Sequence, residues 1–444
     1  MIVINTKDQS VMLNKSNQIM LPWFTVIIPQ KDRAEYIVHT LKTCMIQDYP
    51  NFEVIVSDDC SEDNSVEVIQ ELAKKDSRIK LFAHKEHLGM HDNFEFALNQ
   101  VKPGFVMALG GDDGLTPGCI WRMYEIIKET GRELLTWTPA GFTYPEVDGG
   151  DSIFYVKRKK NTGIKILKSK DYLNKISKTF FYPSDECPMF YVKGVASTEL
   201  VNRVKSRTPD HCFYYCPTPD GFSGVVLAGE VEDYAFTYEP LSIIGNTRKS
   251  QGKNYHRTDE KSKAEAQQFF NDSIRRSMHS ELASQPYSPI VTLMTADYLL
   301  TARDLPGWPG QFDMFSFEAL LNKSFSFIST SLFEQEVLVR ELKILRAIAE
   351  QHNLMEMFES LYKKTKLKKK VGGHVNGFVL THSIRFSGSS MNVNNIYDAC
   401  LAVNFVYSFY NRVSPKAFVN FVKRMLSLVF GTKKIREEPL PNIN

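Results

Sequence analysis

The chain has 444 residues, enough for two or three domains, and its 43% hydrophobic and 24% charged residues indicate a folded protein rather than a disordered or fibrous one. Its formal net charge of +3 argues against a dedicated nucleic-acid binder, because such a protein needs a dense basic face. No apolar run approaches the roughly 20 residues that cross a bilayer, and the mixed polar and apolar N-terminus predicts no signal peptide.

From Phe24 onward, short apolar runs alternate with amphipathic stretches. The runs are rich in β-branched and aromatic residues, which favours strands, and the stretches between them repeat apolar residues at helical spacing. The predicted strands are 24–28, 52–56, 79–83 and 105–109, and the predicted helices lie around 37–45, 66–73 and 94–98. This alternation is typical of a parallel sheet with helices on both faces, which binds ligands at the carboxyl ends of its strands.

Two acidic pairs follow predicted strands. Asp58 and Asp59 come after the second strand, and Asp112 and Asp113, flanked by glycines, come after the fourth. Adjacent carboxylates at one sheet edge repel each other unless a cation or a hydrogen-bonded ligand neutralises them. Mn²⁺ and Mg²⁺ take hard oxygen ligands and bridge carboxylates to phosphates, so the pattern predicts a metal-assisted nucleotide-diphosphate site. The alternative is that these acids are helix caps and turn residues.

The rest of the chain changes character twice. Residues 133–245 are richer in Tyr, Phe and Pro, and we expect them to continue the first domain and build an acceptor face. From residue 264 onward helical periodicity dominates. The expected organisation is an N-terminal extension (1–21), an α/β domain (22–250), a linker or mobile loop (251–263) and a mainly helical C-terminal region with basic segments (264–444).

The seven cysteines follow no paired framework, so we expect a reducing, cytoplasmic environment. His211, Cys212 and Cys216 lie close enough in the sequence to be considered as a zinc site. A structural zinc site usually has four ligands in two spaced halves, and no second half is present, so ordinary buried thiols are the favoured interpretation.

Three blocks of this sequence resemble family 2 inverting glycosyltransferases of the GT-A fold, over roughly residues 22–250. The blocks are 24–29, 32–36 and 47–59 with Ser61 and Asp63; Leu109-Gly110-Gly111-Asp112-Asp113 with Pro117; and Asp220 with Leu227, Gly229 and Tyr238-Glu239-Pro240-Leu241. The resemblance implies a Rossmann-like, mostly parallel sheet. It also implies transfer of a sugar, with inversion, from a nucleotide-diphosphate donor to a hydroxyl of a glycan or lipid-linked acceptor.

The resemblance also implies roles for the residues of the donor site. Asp59 is expected to hydrogen-bond the nucleotide base, in a pocket lined by Pro29 and its neighbours Lys31 and Arg33. Asp112 is expected to contact the ribose or the diphosphate. Many members have an aromatic residue at the position of Lys31, so the resemblance does not extend to specificity for uridine.

The resemblance implies one residue for binding the metal and one for activating the acceptor. Asp113 is expected to ligate the metal, and Asp220 is expected to be the general base that deprotonates the acceptor hydroxyl. The sequence around Asp220 predicts a turn, and the nearby Glu230, Glu232 and Asp233 form a polar stretch that is expected to be exposed. These three are the alternative bases.

Two further functions stay open at the level of sequence. A sugar nucleotidyltransferase also uses a parallel sheet and acidic metal ligands, but its glycine-rich phosphate loop is absent, because residues 30–33 read Gln-Lys-Asp-Arg. A degenerate, non-catalytic binding module is the other alternative. It is kept open by Gly110, where many family members have an Asp, so metal binding here depends on fewer carboxylates.

Two basic segments lie in the C-terminal region. Lysines are dense over 363–370, and residues 416–434 combine an apolar helical face with flanking Lys and Arg. A basic amphipathic helix can lie on an anionic membrane, so we expect either a peripheral location on the inner face of the membrane or, equally, a solvated lysine cluster beside a packed helix. Nucleic-acid binding is disfavoured because no recognisable module accompanies the charge.

Overall fold

The computed structural model describes residues 21–147, 151–157, 163–250, 264, 277–331, 333–370, 383–412 and 435–439. The expected linker, nearly all of the N-terminal extension and the basic segment 416–434 lie outside the described residues. The strands are β1 (Phe24–Gln30), β2 (Phe52–Asp58), β3 (Ile79–Ala83), β4 (Phe105–Ala108), β5 (Gly114–Leu115), β6 (Leu134–Trp137), β7 (Ala140–Thr143), β8 (Ile153–Lys157), β9 (Ile164–Lys168), β10 (Gly194–Ser197), β11 (Asp233–Thr237), β12 (Ser242–Asn246), β13 (Lys366–Lys370), β14 (Ser383–Ser387) and β15 (Ile435–Pro439).

Helices connect and cover these strands. They are α1 (Ala34–Met45), α2 (Ser65–Lys75), α3 (Met90–Asn99), α4 (Cys119–Thr130), α5 (Ser169–Thr179), α6 (Thr198–Lys205), α7 (Pro219–Glu230), α8 (Val291–Arg303), α9 (Phe317–Thr330), α10 (Gln335–Gln351), α11 (Met355–Lys364), α12 (Gly388–Met391) and α13 (Ile396–Arg412). Among the described residues, no helix combines the length and the apolar character that a membrane crossing requires.

An eight-stranded mixed sheet forms the centre of the N-terminal half, in the order β3-β2-β1-β4-β10-β6-β11-β9. The first four strands run parallel, as the alternation of strands and helices predicts. β10 is antiparallel to both of its neighbours, which makes the sheet mixed. The predicted α/β fold class is confirmed.

The sheet separates two hydrophobic cores. β1 is buried over its whole length, and its successive side chains point to opposite faces. Val26 and Ile28 pack with α1 and α4 on one side, whereas Ile27 packs with α3, α6 and α7 on the other. Because both faces are covered, the strand is a continuous apolar run rather than an alternating one.

A smaller sheet has the order β14-β8-β7-β12-β5 and lies beside the turn after β4. β12 reaches it from the main domain, and Gly245 of β12 lies directly against the backbone of Asp112. β14 comes from the C-terminal region and pairs with β8, and α13 packs Ile396, Cys400 and Val403 into the same core. Residues 383–412 therefore return to the N-terminal domain.

The remaining C-terminal helices extend the core around α7. α8 is buried over most of its surface, and Leu293 and Leu300 share a core with Val225 of α7. The lysine run forms the end of α11 and β13, and β13 pairs with β15 so that Lys368 stands opposite Glu437.

Candidate active site

Asp113 is buried in the turn after β4, and both of its carboxylate oxygens accept hydrogen bonds from the backbone. Oδ2 accepts from the N–H of Gly110 at 2.7 Å, and Oδ1 accepts from the N–H of Gly245 at 2.8 Å. Burial and the neighbouring Asp112 carboxylate raise the pKa of Asp113 to about 7, against the effect of these hydrogen bonds. Asp113 thus ties the turn after β4 to β12.

Asp112 is also buried, but its partners are side chains. Its Oδ2 accepts a hydrogen bond from Arg33 Nη1 at 2.8 Å and another from Thr247 Oγ1 at 2.8 Å. The other guanidinium nitrogen of Arg33, Nη2, donates to the carbonyl of Lys249 at 2.8 Å. Within the described part of the chain, no hydrogen bond reaches Asp112 Oδ1, which faces the space above Gly110.

The carboxylates present fit a metal ion only in part. Among the described residues, no three or more His, Cys, Asp or Glu side chains are grouped so that they could hold one. The predicted metal ligand, Asp113, has both oxygens engaged by the backbone, so Asp112 Oδ1 is the oxygen best placed for a cation. A metal ion here would take its remaining ligands from the donor diphosphate and water.

The alternative zinc site is not assembled in the structure. His211 Nδ1 contacts the carbonyl of Lys205 at 3.3 Å, and Cys212 Sγ donates to the carbonyl of Asp210 at 3.5 Å. Cys216 is a buried thiol in the core. Among the described residues, these three side chains are therefore not grouped so that they could hold a metal ion.

Asp59 is buried at the end of β2, where it holds the turn that follows β3. Its Oδ1 accepts from the N–H of Leu88 at 2.6 Å, and its Oδ2 accepts from the N–H of Gly89 at 3.1 Å. His87 Nδ1 lies 2.9 Å from the same Oδ2, and Lys31 Nζ lies 3.4 Å from His87 Nδ1. The structure therefore brings Asp59 and Lys31 to one place, with His87 between them, a residue that sequence reasoning missed.

Asp58 and Pro29 lie at the ends of β2 and β1, next to the region around Asp59. Asp58 accepts hydrogen bonds from the N–H of Ser61 at 3.0 Å and from its hydroxyl at 2.6 Å, and Gln30 donates to it as well. For Asp58 the turn-residue alternative is therefore the correct one. Pro29 is the penultimate residue of β1, buried and opposite Ser57.

Asp220 lies at the second residue of α7, not in a turn as its sequence context predicts. Pro219 begins the helix, which is a favoured place for proline because that position needs no N–H donor. Asp220 Oδ2 accepts from the hydroxyl of Tyr182 at 3.2 Å, and Oδ1 accepts from the N–H of Gly221 at 2.8 Å. Burial raises the pKa of Asp220, and these hydrogen bonds act in the opposite direction.

The other carboxylates considered as bases have different surroundings. Glu230 was expected to be exposed, but its side chain is 1% exposed and forms a salt bridge with Arg207. Glu232 is exposed and pairs with Lys168. The prediction for Glu230 was wrong because a basic partner 23 residues earlier in the chain, on the segment after α6, compensates its charge in the core.

Tyr191 connects the two halves of the site. Burial raises the pKa of its phenol well above the usual value, and the carboxylates of Asp113, Asp112 and Asp220 raise it further. One hydroxyl is thus within electrostatic range of both the acidic motif and Asp220. No signal in the sequence alone distinguishes Tyr191 from the other aromatic residues of this region.

Comparisons with known proteins relate part of this chain to glycosyltransferases. Residues 25–185 match the family described as glycosyl transferase family 2. The chain is 36% identical over 110 residues to a GalNAc(5)-diNAcBac-PP-undecaprenol beta-1,3-glucosyltransferase of Campylobacter jejuni, covering 24% of this chain and 36% of that protein. It is 24% identical over 132 residues to glycosyltransferase GlyG of Streptococcus pneumoniae, covering 30% and 43%. The matches thus span less than half of either relative's length.

One solved structure that aligns with this chain is S. aureus TarS 1–349 in complex with UDP-GlcNAc. It aligns with a TM-score of 0.42 and 15% identity, over 81% of this chain and 94% of that one.

Proposed function

We propose that this chain, whose residues 25–185 belong to glycosyl transferase family 2, transfers a sugar from a nucleotide-diphosphate donor to a hydroxyl of a glycan or lipid-linked acceptor. The proposal includes inversion at the anomeric carbon and assistance by Mn²⁺ or Mg²⁺. The observation that carries it is the turn after β4, where the buried carboxylates of Asp112 and Asp113 and the Tyr191 hydroxyl meet above Gly110.

The donor lies along the carboxyl ends of β1, β2 and β4 in this proposal. Asp59 receives the nucleotide base, in a pocket completed by Pro29, Lys31 and His87, because the carboxylate and its basic neighbours offer both acceptors and donors. Arg33 is directed toward the diphosphate, since its cation is already held at the acidic motif.

The metal ion, when bound, stabilises the negative charge that develops on the leaving diphosphate. Asp112 is the proposed ligand from the protein, through Oδ1. Asp113 supports the turn that presents Asp112, because its two oxygens hold the backbone on both sides.

Asp220 is the proposed base on the acceptor side. It accepts the proton of the acceptor hydroxyl as that oxygen bonds to the anomeric carbon and the bond to the diphosphate breaks. A base must lie within hydrogen-bond reach of the hydroxyl and works best with a pKa near the working pH. Burial raises the pKa of Asp220 and so brings it closer to the working pH.

A lipid-linked acceptor suits a cytoplasmic protein that binds the inner face of the membrane. The name of the Campylobacter relative specifies an undecaprenol-linked glycan. In this chain, Lys363 and Lys364 are exposed at the end of α11, beside exposed Lys366 and Lys368. These four lysines are the proposed contacts with an anionic lipid surface.

The test is a thermal-shift and calorimetric screen of uridine, guanosine, cytidine, thymidine and adenosine diphosphates, with and without Mn²⁺. Binding to the folded state raises the melting temperature by mass action. The proposal predicts a shift for at least one diphosphate, enlarged by Mn²⁺ in the parent and in the surface control Glu129→Gln, but not in Asp112→Asn.

A second measurement separates the enzyme from the alternatives. Release of nucleoside diphosphate from a nucleotide sugar identifies a transferase, whereas release of pyrophosphate from a nucleoside triphosphate and a sugar phosphate identifies a nucleotidyltransferase. A third outcome is that the protein binds nucleotide sugars but catalyses neither reaction, even when the common nucleotide sugars and a lipid-linked acceptor extract are supplied. That outcome would support the non-catalytic binding module.

A further inference from the structure

The hydroxyl of Tyr191 lies over Gly110, where a side chain at that position would begin. A β-carbon placed on Gly110 would lie within 3.0 Å of three atoms: the Tyr191 hydroxyl, Asp113 Oδ2 and Asp112 Oδ1. The separations to the Tyr191 hydroxyl and to Asp113 Oδ2 are shorter than real β-carbons show, so a side chain at position 110 and the present position of Tyr191 exclude each other. The Tyr191 hydroxyl therefore occupies the space, next to the acidic motif, that a side chain at position 110 would need.

The backbone beside Tyr191 holds the phenol in this position at a conformational cost. Val192 is a buried β-branched residue with a φ of 63°, a left-handed conformation that such residues rarely adopt. Its N–H donates to the carbonyl of Ala108 at 2.7 Å, at the end of β4, and the N–H of Lys193 donates to the carbonyl of Tyr191 at 2.7 Å. These bonds fix the tight turn that directs Tyr191 toward the acidic motif.

The chemistry of the hydroxyl differs from that of its neighbours. The carboxylates of Asp112 and Asp113 can only accept hydrogen bonds when ionised, whereas the phenol of a tyrosine carries an O–H group that can donate. Among the described residues, no hydrogen bond engages this hydroxyl, and the Tyr191 side chain is not fully closed off from solvent, so a ligand can reach it.

We infer that the Tyr191 hydroxyl donates a hydrogen bond to the diphosphate of the sugar donor, and that it supplies a binding group in the volume where a side chain at position 110 would stand. This inference rests on the proposed function, because it names a further residue of the same donor site. A neutral donor suits phosphate oxygens better than a further carboxylate, which would repel them unless a metal ion intervened.

The test is calorimetry of the full chain with Mn²⁺, using uridine and guanosine diphosphates and the matching nucleosides. Tyr191→Phe removes only the hydroxyl and should raise the Kd for the preferred diphosphate roughly tenfold or more, the usual effect of losing a hydrogen bond to a charged group. The Kd for the nucleoside, which lacks phosphate, should stay within about twofold, the scatter expected when no contact is lost.

Tyr214→Phe is the matched control. Its ring contacts the same Phe94 ring as Tyr191 does, and its buried hydroxyl has no hydrogen-bond partner in the described structure. It should leave both affinities unchanged. If Tyr191→Phe binds the diphosphate as the parent does, or loses nucleoside and diphosphate equally, the inference is wrong while the proposed function stands. If the parent binds no nucleoside diphosphate, both fail.

Discussion

Arg33 and Asp112 form an ion pair between the loops after β1 and β4, with 2.8 Å between Arg33 Nη1 and Asp112 Oδ2. Their side chains are 16% and 7% exposed, so water screens the pair weakly. Thr247 and the Lys249 carbonyl bind the same pair from the segment after β12. One of the two adjacent carboxylates is thus neutralised before any ligand arrives.

Arg33→Gln should weaken diphosphate binding mainly when no metal ion is present. Without the guanidinium, Asp112 and Asp113 face the diphosphate uncompensated, and an added Mn²⁺ ion restores part of the lost charge. We expect at least a tenfold rise in Kd without metal, about 1.4 kcal/mol, and a smaller rise with saturating Mn²⁺, measured by calorimetry. Arg33→Lys, which keeps the charge, is the control. Equal affinities of parent and Arg33→Gln without metal would contradict this role.

Asp113 should make the stability of the protein depend on pH. Its folded pKa of about 7 lies above the ordinary value of 3.8 for an aspartate, so the unfolded chain loses the proton first as the pH rises. Asp113 therefore lowers the free energy of unfolding progressively between about pH 4 and pH 7 and adds no further slope above that range. Urea unfolding from pH 4.5 to 8 should show a shallower decline in Asp113→Asn than in the parent.

The buried Glu341 has a pKa raised to about 7 by burial, so part of the decline should persist in this variant. An equal decline in Asp113→Asn and the parent would show that the carboxylate is already ionised in the folded protein throughout this range.

The parallel part of the sheet and the positions of Asp59 and Asp112 could be predicted from the sequence, because both depend on local patterns. Each of the first four strands is a short apolar run, and each acidic pair directly follows one of them. Once the strands are parallel, their carboxyl ends share one edge, whatever the distance between the pairs along the chain.

The features that the sequence could not reveal are non-local. β10 inserts antiparallel between β4 and β6, and β14 joins β8 from more than 200 residues away, which no local periodicity indicates. The left-handed backbone at Val192 gives no signal either, since such a conformation is usually marked by glycine or asparagine. Tyr191 and His87 therefore could not be identified before the structure.

Asp59→Ala should weaken nucleotide binding and loosen the turn after β3. The N–H groups of Leu88 and Gly89 lose their acceptor, and leaving a buried polar group unpaired costs about 1–3 kcal/mol. Calorimetry with the preferred nucleoside diphosphate should show a loss of this size, and hydrogen exchange should show faster exchange at these two amides. His87→Ala, which keeps the acceptor, is the control for the turn. An unchanged Kd for Asp59→Ala would show that Asp59 does not contact the nucleotide base.

Lys363→Gln combined with Lys364→Gln should release the protein from anionic vesicles. Each basic residue near such a surface contributes about 1 kcal/mol, and screening weakens the attraction as salt is added. Sedimentation with phosphatidylserine vesicles at low and physiological salt measures this. Lys74→Gln with Lys75→Gln removes the same charge from an exposed part of α2 and should change little. A parent protein that never sediments with vesicles supports the solvated-cluster alternative.

The environment of Asp220 predicts the pH dependence of transfer. Burial raises its pKa, so the acidic limb of the rate profile should lie above that of an ordinary carboxylic acid. The Tyr182 hydroxyl donates to Asp220 and stabilises the ionised form. Tyr182→Phe should therefore move this limb to higher pH, because the carboxylate becomes harder to ionise, and a shift to lower pH would contradict the assignment.

Asp220→Asn should abolish most transfer while leaving donor binding intact. Asparagine cannot accept the proton of the attacking hydroxyl, and removing a general base typically costs about 10²–10⁴-fold in rate. The base does not hold the nucleotide, so the Kd of the diphosphate should stay within about twofold, the scatter expected when no contact is lost. Glu232→Gln, which changes an exposed carboxylate, is the control and should transfer at the parent rate. If Asp220→Asn transfers sugar at close to the parent rate, another group is the base.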